Sequence, residues 1–193
     1  DVTVNINNLN DNSPVLTLGT SYSGAENQTA VGSVSASDAD GDSLTFSISG
    51  SDLSVTADGV LTFTSAPDYE ATTSFIATLT VSDGTFSDSG SITVNVADID
   101  DVAPVITSSA TFTAAENQTS IGTVTATDVD SSSTSFSVSG EGIQISTSGV
   151  LTFSSAPDFE TQSSYSGTIT ATDGINSSTQ SITVTVTNVN EAP

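Results

Sequence analysis

The chain has 193 residues, with 23 Asp plus Glu and no Lys, Arg or His, so its formal net charge is −23. A nucleic-acid partner is not expected, because phosphate binding relies on cationic side chains, and an anionic membrane surface is disfavoured for the same reason. Cysteine is absent, which excludes disulfides and thiolate zinc sites. No apolar run has the length of a membrane span and the start has no signal-peptide pattern, so we expect a piece of a longer protein without membrane insertion in this segment.

The first predicted element is a strand over residues 1–7. Val2, Val4 and Ile6 alternate there with polar residues, which is the period of a half-buried strand. The runs 92–96 and 182–186 repeat the pattern later in the chain. Because the first run has no strands before it to pair with, we interpret it as the last strand of a preceding repeat.

A polar segment that ends in proline occurs three times. The copies begin at Asn8, Asp98 and Asn188, so they are 90 positions apart, and the residues between them correspond at the same offset. This spacing predicts a tandem array. Residues 1–12 are assigned to the last strand and linker of a preceding repeat, residues 13–101 to one repeat, and residues 102–193 to another.

Within each repeat the apolar residues alternate almost throughout. Phe75, Ala77, Leu79 and Val81 share one face of a predicted strand, and turn signals such as Asp58-Gly59 separate the runs. No stretch has a sustained helical period. About seven short strands per repeat favour an all-β chain of two tandem seven-stranded Greek-key, immunoglobulin-like β-sandwiches.

Four acidic motifs recur in both repeats. The first repeat has Ala25-Glu26-Asn27, Asp38-Ala39-Asp40, Asp68-Tyr69-Glu70 and Ser82-Asp83-Gly84, and the second has Ala115-Glu116-Asn117, Asp128-Val129-Asp130, Asp158-Phe159-Glu160 and Thr172-Asp173-Gly174. With the linker, this ordered set resembles the cadherin repeat. In cadherins a Glu, a D-x-D, a D-R-E and a late Asp flank a D-x-N-D-N-x-P linker and bind calcium between consecutive domains. The resemblance covers essentially the whole chain and implies sandwiches of cadherin type.

The resemblance also implies three calcium-binding junctions. The central set is Glu26, Asp68, Glu70, Asp100, Asp101, Asp128, Asp130 and Asp173 with the carbonyls of Ile99 and Val102. The set at the start is Asn10, the Asn12 carbonyl, Asp38, Asp40 and Asp83, and the set at the end is Glu116, Asp158, Glu160 and Glu191. Calcium takes six to eight oxygens, and the resemblance implies about three ions at the central junction. This junction is expected to bind most tightly, because only there are both flanking repeats present.

Several positions depart from the cadherin pattern. Tyr69 and Phe159 replace the Arg of D-R-E, which predicts aromatic packing at the base of each sandwich. A further backbone ligand that cadherins use beyond the D-x-D cannot be placed within Ser131–Thr134. Tryptophan is absent, so strand-exchange adhesion is not inferred. The composition resembles that of cadherin-like repeats in large bacterial surface proteins and adhesins.

Two other readings of the acidic residues are less favoured. The run Asp38–Asp42 begins like a helical calcium loop, but positions six and twelve are Ser43 and Ser49 and its flanks are predicted strands. Paired carboxylates also occur in glycoside hydrolases. Here metal binding accounts for the pairs, and no His, Lys or Cys is present to activate a nucleophile. Catalysis is therefore not expected.

The sequence thus predicts an extracellular module, on a cell surface or secreted, in which calcium stiffens the junctions between neighbouring repeats of the same chain and which serves structure or cell adhesion. The alternative is a calcium-dependent module that binds a polysaccharide or another surface protein. Sugar-binding surfaces generally use exposed aromatic rings, and the candidates are few: Tyr22, Tyr69 and Tyr165, besides eight Phe.

Overall fold

The computed structural model describes residues 2–4, 7–131 and 133–191. The chain divides into two compact units, unit 1 from Asp1 to Ile99 and unit 2 from Asp100 to Pro193. Every regular element in the described residues is a β-strand. No helix long and apolar enough to cross a membrane is found in this part of the chain.

The described part of unit 1 contains nine strands. They are β1 (Val15–Thr17), β2 (Tyr22–Ala25), β3 (Ala30–Ser33), β4 (Ser35–Ser37), β5 (Thr45–Ile48), β6 (Leu53–Val55), β7 (Val60–Phe63), β8 (Ser74–Ser82) and β9 (Ser87–Ala97). One sheet has the order β2-β9-β8-β5 and a second has the order β3-β7-β6, while β1 pairs with β4. The β2–β9 pair is parallel and the other pairs are antiparallel.

The nine strands of unit 1 correspond to seven when two interruptions are taken into account. Only Val34 separates β3 from β4, so these are two halves of one strand. The first strand is likewise divided, because β1 pairs with β4 whereas β2 pairs with β9 in the other sheet. The predicted seven-stranded Greek-key sandwich is confirmed, with its first strand shared between the two sheets.

Unit 2 repeats this arrangement. Its described strands are β10 (Val105–Ile106), β11 (Thr111–Ala115), β12 (Ser120–Thr123), β13 (Ala126–Thr127), β14 (Ser135–Ser139), β15 (Ile143–Ile145), β16 (Val150–Phe153), β17 (Ser164–Thr172) and β18 (Ser177–Thr187). The sheets have the orders β11-β18-β17-β14 and β12-β16-β15, and β10 pairs with β13.

Each unit has its own core, built from the alternating apolar positions that the sequence indicates. In β8, Ala77, Leu79 and Val81 are buried, whereas Thr78 is exposed on the opposite face. Phe75 of the same strand packs against the core, with its ring centroid 5.5 Å from that of Phe63. An equivalent cluster fills unit 2. The strands therefore hold the loops at both ends of each sandwich in fixed positions.

The strand predicted for residues 1–7 is not found in the described part of that segment. Val2, Thr3 and Val4 have no regular structure and are exposed, as is Asn7, while residues 1, 5 and 6 lie outside the described residues. No described strand pairs with the segment. An alternating apolar pattern forms a strand only where it finds a partner for its backbone hydrogen bonds.

We expect Leu79→Ala to lower the free energy of unfolding of unit 1 by about 2–5 kcal/mol, because it opens a cavity at a side chain that is 0% exposed. Ile76→Ala is the matched control on the same strand, since Ile76 is 75% exposed, and its effect should stay within about 0.5 kcal/mol. Urea unfolding followed by circular dichroism measures both. Equal effects of the two substitutions would contradict the described orientation of β8.

Candidate metal sites

A buried glutamate organises the end of unit 1 at which the chain passes to unit 2. Glu26 follows β2 and its side chain is only 1% exposed. Its Oε2 accepts the Tyr69 N–H at 2.7 Å, and its Oε1 accepts the Ile99 N–H at 2.8 Å. The next residue, Asn27, has φ 59°, a left-handed conformation that Asn tolerates better than most residues. Glu26 thus joins the end of β2, the Asp68–Glu70 loop and the linker.

The carboxyl group of this glutamate lies close to two others. One oxygen each from Glu26, Glu70 and Asp98 lies within 4.8 Å of the others. The backbone N–H of Glu70 lowers the pKa of its own carboxyl, but burial and the nearby Glu26 and Asp68 carboxyls outweigh this effect and raise the pKa above its usual value. Negative charges that repel at this distance favour a bound cation. Asp98 was not among the predicted ligands, although its recurrence as Asn8 and Asn188 marks it as a linker position.

The corresponding end of unit 2 has the same design. Glu116 is 3% exposed, and its oxygens accept the N–H groups of Phe159 at 2.8 Å and Val189 at 2.7 Å. Oxygens of Glu116, Asp158 and Glu160 lie within 4.8 Å of one another. The Thr161 hydroxyl holds the pKa of Asp158 below its usual value, in spite of burial.

Two carboxylates near this end of unit 2 accept hydrogen bonds from side-chain amides. Asn188, at the position equivalent to Asp98, donates through Nδ2 to Glu160 Oε1 at 2.6 Å. Glu191, a predicted ligand, accepts a hydrogen bond from Asn117 Nδ2 at 2.7 Å and lies outside the group of three. An amide in place of a carboxylate lowers the negative charge at this position, and each of the two ends keeps a group of three carboxylates.

The opposite end of unit 1 holds the D-x-D motif. Asp38 Oδ1 accepts the N–H groups of Asp40 at 2.8 Å and Gly41 at 3.0 Å. Asp40 Oδ2 reaches back to the linker and accepts the N–H groups of Asp11 at 3.0 Å and Asn12 at 2.8 Å. The Asn12 backbone N–H is the principal cause of a lowered pKa of Asp40. The motif therefore fixes the linker to the sandwich through backbone amides.

Asp83, in the turn between β8 and β9, is held in the same way. Its Oδ1 accepts the N–H groups of Thr85 and Phe86, both at 2.7 Å. Burial raises the pKa of Asp83, but these N–H groups outweigh burial and leave the pKa below its usual value. One oxygen of the carboxylate is thus fixed by the turn, and the other, Oδ2, is buried and accepts no hydrogen bond from the described residues.

In unit 2, the equivalent three aspartates repeat the geometry. Asp130 Oδ2 accepts the N–H groups of Asp101 at 2.8 Å and Val102 at 2.7 Å. The neighbouring Asp130 carboxyl is the main cause of a raised pKa of Asp128, and the Val102 N–H is the main cause of a lowered pKa of Asp130. Asp173 Oδ1 accepts N–H groups in its own turn at 2.6 Å.

These residues pass a direct test of whether a cation fits. Seven side-chain oxygens at the two D-x-D ends are completely buried yet accept no hydrogen bond from the described residues. They are Asn10 Oδ1, Asp38 Oδ2, Asp42 Oδ2 and Asp83 Oδ2 in unit 1, and Asp128 Oδ2, Asp130 Oδ1 and Asp173 Oδ2 in unit 2. A buried carboxylate oxygen without a partner is costly unless a cation neutralises it. Carboxylate and amide oxygens are the ligands that calcium prefers.

The predicted ligand sets are assigned to the units as follows. Glu26, Asp68, Glu70 and Ile99 of the central set belong to unit 1, whereas Asp100, Asp101, Val102, Asp128, Asp130 and Asp173 belong to unit 2. Asp68 uses Oδ1 to accept the Ala71 N–H at 3.3 Å and is not in the unit 1 group of three. Asp100 accepts the Asn176 amide through its carbonyl and Oδ1, both at 3.3 Å.

The three tyrosines and Phe159 support the fold more than a sugar-binding surface. Tyr69 and Phe159, which stand where cadherins have Arg, pack against the cores as the sequence predicts. Tyr22 and Tyr165 are also partly buried and pack against the cores. All three tyrosines therefore have their rings engaged within the sandwiches.

Known proteins share this architecture. The sequence profile of the bacterial Ig domain family matches residues 10–96. No curated protein matches the chain. Among solved structures, the human protocadherin-24 EC1-2 fragment superposes with a TM-score of 0.76 at 20% identity, covering 94% of this chain and 100% of that one.

Longer cadherin fragments also match. The mouse cadherin-23 EC22-24 structure has a TM-score of 0.75 at 23% identity and covers 94% of this chain, and a protocadherin gammaB7 EC3-6 structure has a TM-score of 0.70 at 28% identity and covers 92%. The chain therefore has the cadherin-like, Ig-type fold, repeated in tandem. It spans 66% and 51%, respectively, of those two longer fragments.

The contribution of Glu26 to the stability of the fold can be tested without metal. Glu26→Gln puts an NH₂ group against one of two backbone N–H donors, so the unfolding free energy of the first cadherin-like repeat should fall by about 1–3 kcal/mol in chelator. Asp52→Asn, which removes one charge at an exposed position of the same repeat, is the control and should be neutral. Chemical denaturation measures both, and a neutral Glu26→Gln variant would show that the two hydrogen bonds do not support the fold.

Proposed function

We propose that this chain is a calcium-binding structural and adhesion module of an extracellular array, in which bound calcium rigidifies the junctions between successive repeats. The observation that carries the proposal is the set of buried oxygens without a donor. At each D-x-D end, backbone N–H groups fix one oxygen of an aspartate and leave the other buried without a hydrogen bond.

Calcium suits these groups better than other common cations. It accepts six to eight oxygen ligands in flexible geometry, whereas magnesium requires a tight octahedron and releases its waters reluctantly. Zinc sites generally use His or Cys, and the chain contains neither. With no Lys or Arg in the sequence, a divalent cation is the counter-charge best able to stabilise such groups.

For the central junction, the proposal is that the linker unites two ligand sets. Glu26, Glu70 and Asp98 stand at the end of the first repeat, Asp128, Asp130 and Asp173 belong to the second, and the division between the units falls at the Ile99–Asp100 peptide bond. Calcium bound by both sets would fix the angle between the repeats. Without it, repulsion among the carboxylates would favour separation.

The setting proposed is extracellular, either at a cell surface or in a secreted protein. The structural relatives support this, since they include a desmocollin-1 ectodomain and protocadherin extracellular domains. The bacterial Ig domain match of the first repeat agrees with the bacterial surface-protein composition noted in the sequence. Neighbouring repeats of the same chain are the partners proposed for the central junction, where the ligand sets of two repeats would meet.

The proposal is tested by thermal unfolding in chelator and in calcium. Calcium at about 100 times its dissociation constant should stabilise the folded form by about 2.7 kcal/mol, which raises the midpoint by about 10 °C or more for a domain of this size. Glu70→Gln should reduce the rise, whereas Asp52→Asn, at an exposed aspartate of the same repeat, should leave it intact. Small-angle scattering on the same samples should show a narrower range of dimensions in calcium.

A midpoint that is unchanged between chelator and millimolar calcium would refute calcium binding by the folded chain. A rise in the midpoint without any change in scattering would support calcium binding but refute the rigidifying role. Equal effects of Glu70→Gln and Asp52→Asn would show that the stabilisation comes from general screening of charge.

A further inference from the structure

Each unit has one end that carries its D-x-D motif, Asp38–Asp40 in unit 1 and Asp128–Asp130 in unit 2. The two ends differ in which carboxylates have a buried oxygen that accepts no hydrogen bond from the described residues. In unit 1 these are Asp38, Asp42 and Asp83, and in unit 2 they are Asp128, Asp130 and Asp173. Two members of each set correspond at the offset of 90 residues, but the third does not. Asp42 appears in unit 1 where unit 2 has Asp130, whose own counterpart is Asp40.

A single linker residue accounts for the difference at Asp40. The Asn12 amide Nδ2 donates to Asp40 Oδ1 at 2.9 Å, so both oxygens of Asp40 accept hydrogen bonds. The equivalent residue in unit 2 is Val102, which has no side-chain donor. Asp130 Oδ1 consequently remains buried without a hydrogen bond from the described residues.

Asp42 is positioned to supply an oxygen in place of Asp40 Oδ1, which already accepts a hydrogen bond from Asn12. Gly41, with φ +77°, turns the chain after the D-x-D motif, and the Asp42 N–H donates to Asp38 Oδ1 at 3.4 Å. Oxygens of Asp38, Asp40 and Asp42 lie within 4.8 Å of one another. Burial is the main cause of a raised pKa of Asp42, and repulsion from the Asp38, Asp40 and Asp83 carboxylates adds to it.

We propose that Asp42 is a direct ligand of the cation at the D-x-D end of unit 1, in the role that Asp130 has in unit 2. This inference rests on the proposed calcium-binding function. Asp42 joins Asp38, Asp83 and the Asn10 amide oxygen, so the site gathers three carboxylates from residues of unit 1 alone. Since calcium affinity rises with the charge of the ligands, this site is expected to bind an ion without ligands from another repeat.

Calcium titration by calorimetry on the full chain, first stripped with chelator, tests the assignment. Asp42→Asn and Asp42→Ser should weaken the binding of one ion by about tenfold or more and leave the other ions unchanged. Asp52→Asn carries the same loss of charge at an exposed position of unit 1 and should bind as the parent does. Asp40→Asn should have a smaller effect than Asp42→Asn. Unfolding in chelator verifies that each variant is folded.

A double variant tests the exchange of roles between Asp42 and Asp40. Asn12→Val added to Asp42→Ser reproduces the residues of unit 2 and releases Asp40 Oδ1, so calcium binding should recover relative to Asp42→Ser alone. A double variant that binds no better than Asp42→Ser would overturn this exchange.

The outcomes separate the inference from the function on which it rests. If the parent chain shows neither calcium-binding heat nor a rise of its unfolding midpoint in calcium, the proposed function fails. If the parent binds and Asp42→Asn matches Asp52→Asn, only the assignment of Asp42 fails. If Asp40→Asn removes an ion that Asp42→Asn retains, Asp40 is the ligand and the inference is overturned.

Discussion

The acidic side chains of this protein have to be held in place without any basic side chain. With 23 Asp plus Glu and no Lys, Arg or His, the donors available within the chain are backbone N–H groups, hydroxyls and amides. The loops at the ends of the sandwiches supply such N–H groups. Glu26, Asp38 and Asp83 each accept two or more of them. The sandwich is therefore the framework that orients the charges.

This arrangement orients the aspartates in a way that would favour a cation. A hydrogen bond from the backbone fixes the plane of a carboxylate, so less side-chain freedom remains to be lost when an ion binds. The second oxygen is then buried beside others of the same charge, as at Asp128 and Asp130. An ion that bound only the folded form would relieve this repulsion and stabilise the fold.

The sequence predicts the structure best where apolar and polar residues alternate along a strand. The alternation in β8 and β9 correctly identifies the core, and the recurrence at 90 residues identifies the tandem sandwiches. The division of the first strand between two sheets was not visible, because it depends on pairing between distant segments. The closeness of Asp98 to Glu26 and of Asp42 to Asp38 is not predictable from the sequence for a related reason. Whether an aspartate faces a site depends on the turn that carries it, and the Gly41 turn decides this for Asp42.

The two repeats share the backbone N–H groups that hold the D-x-D aspartates, but the side chains around these aspartates differ. The N–H groups that hold Asp38 and Asp128 come from the turn of the D-x-D motif, so they persist whatever side chains the neighbouring positions carry. Side chains around them differ freely: Asn12 corresponds to Val102, and Phe86 corresponds to Asn176, whose amide donates to Asp100. One substitution in a linker can thus redirect which carboxylate has an open oxygen without disturbing a strand. Tandem repeats of one architecture can in this way carry cation sites of different strength along a single chain.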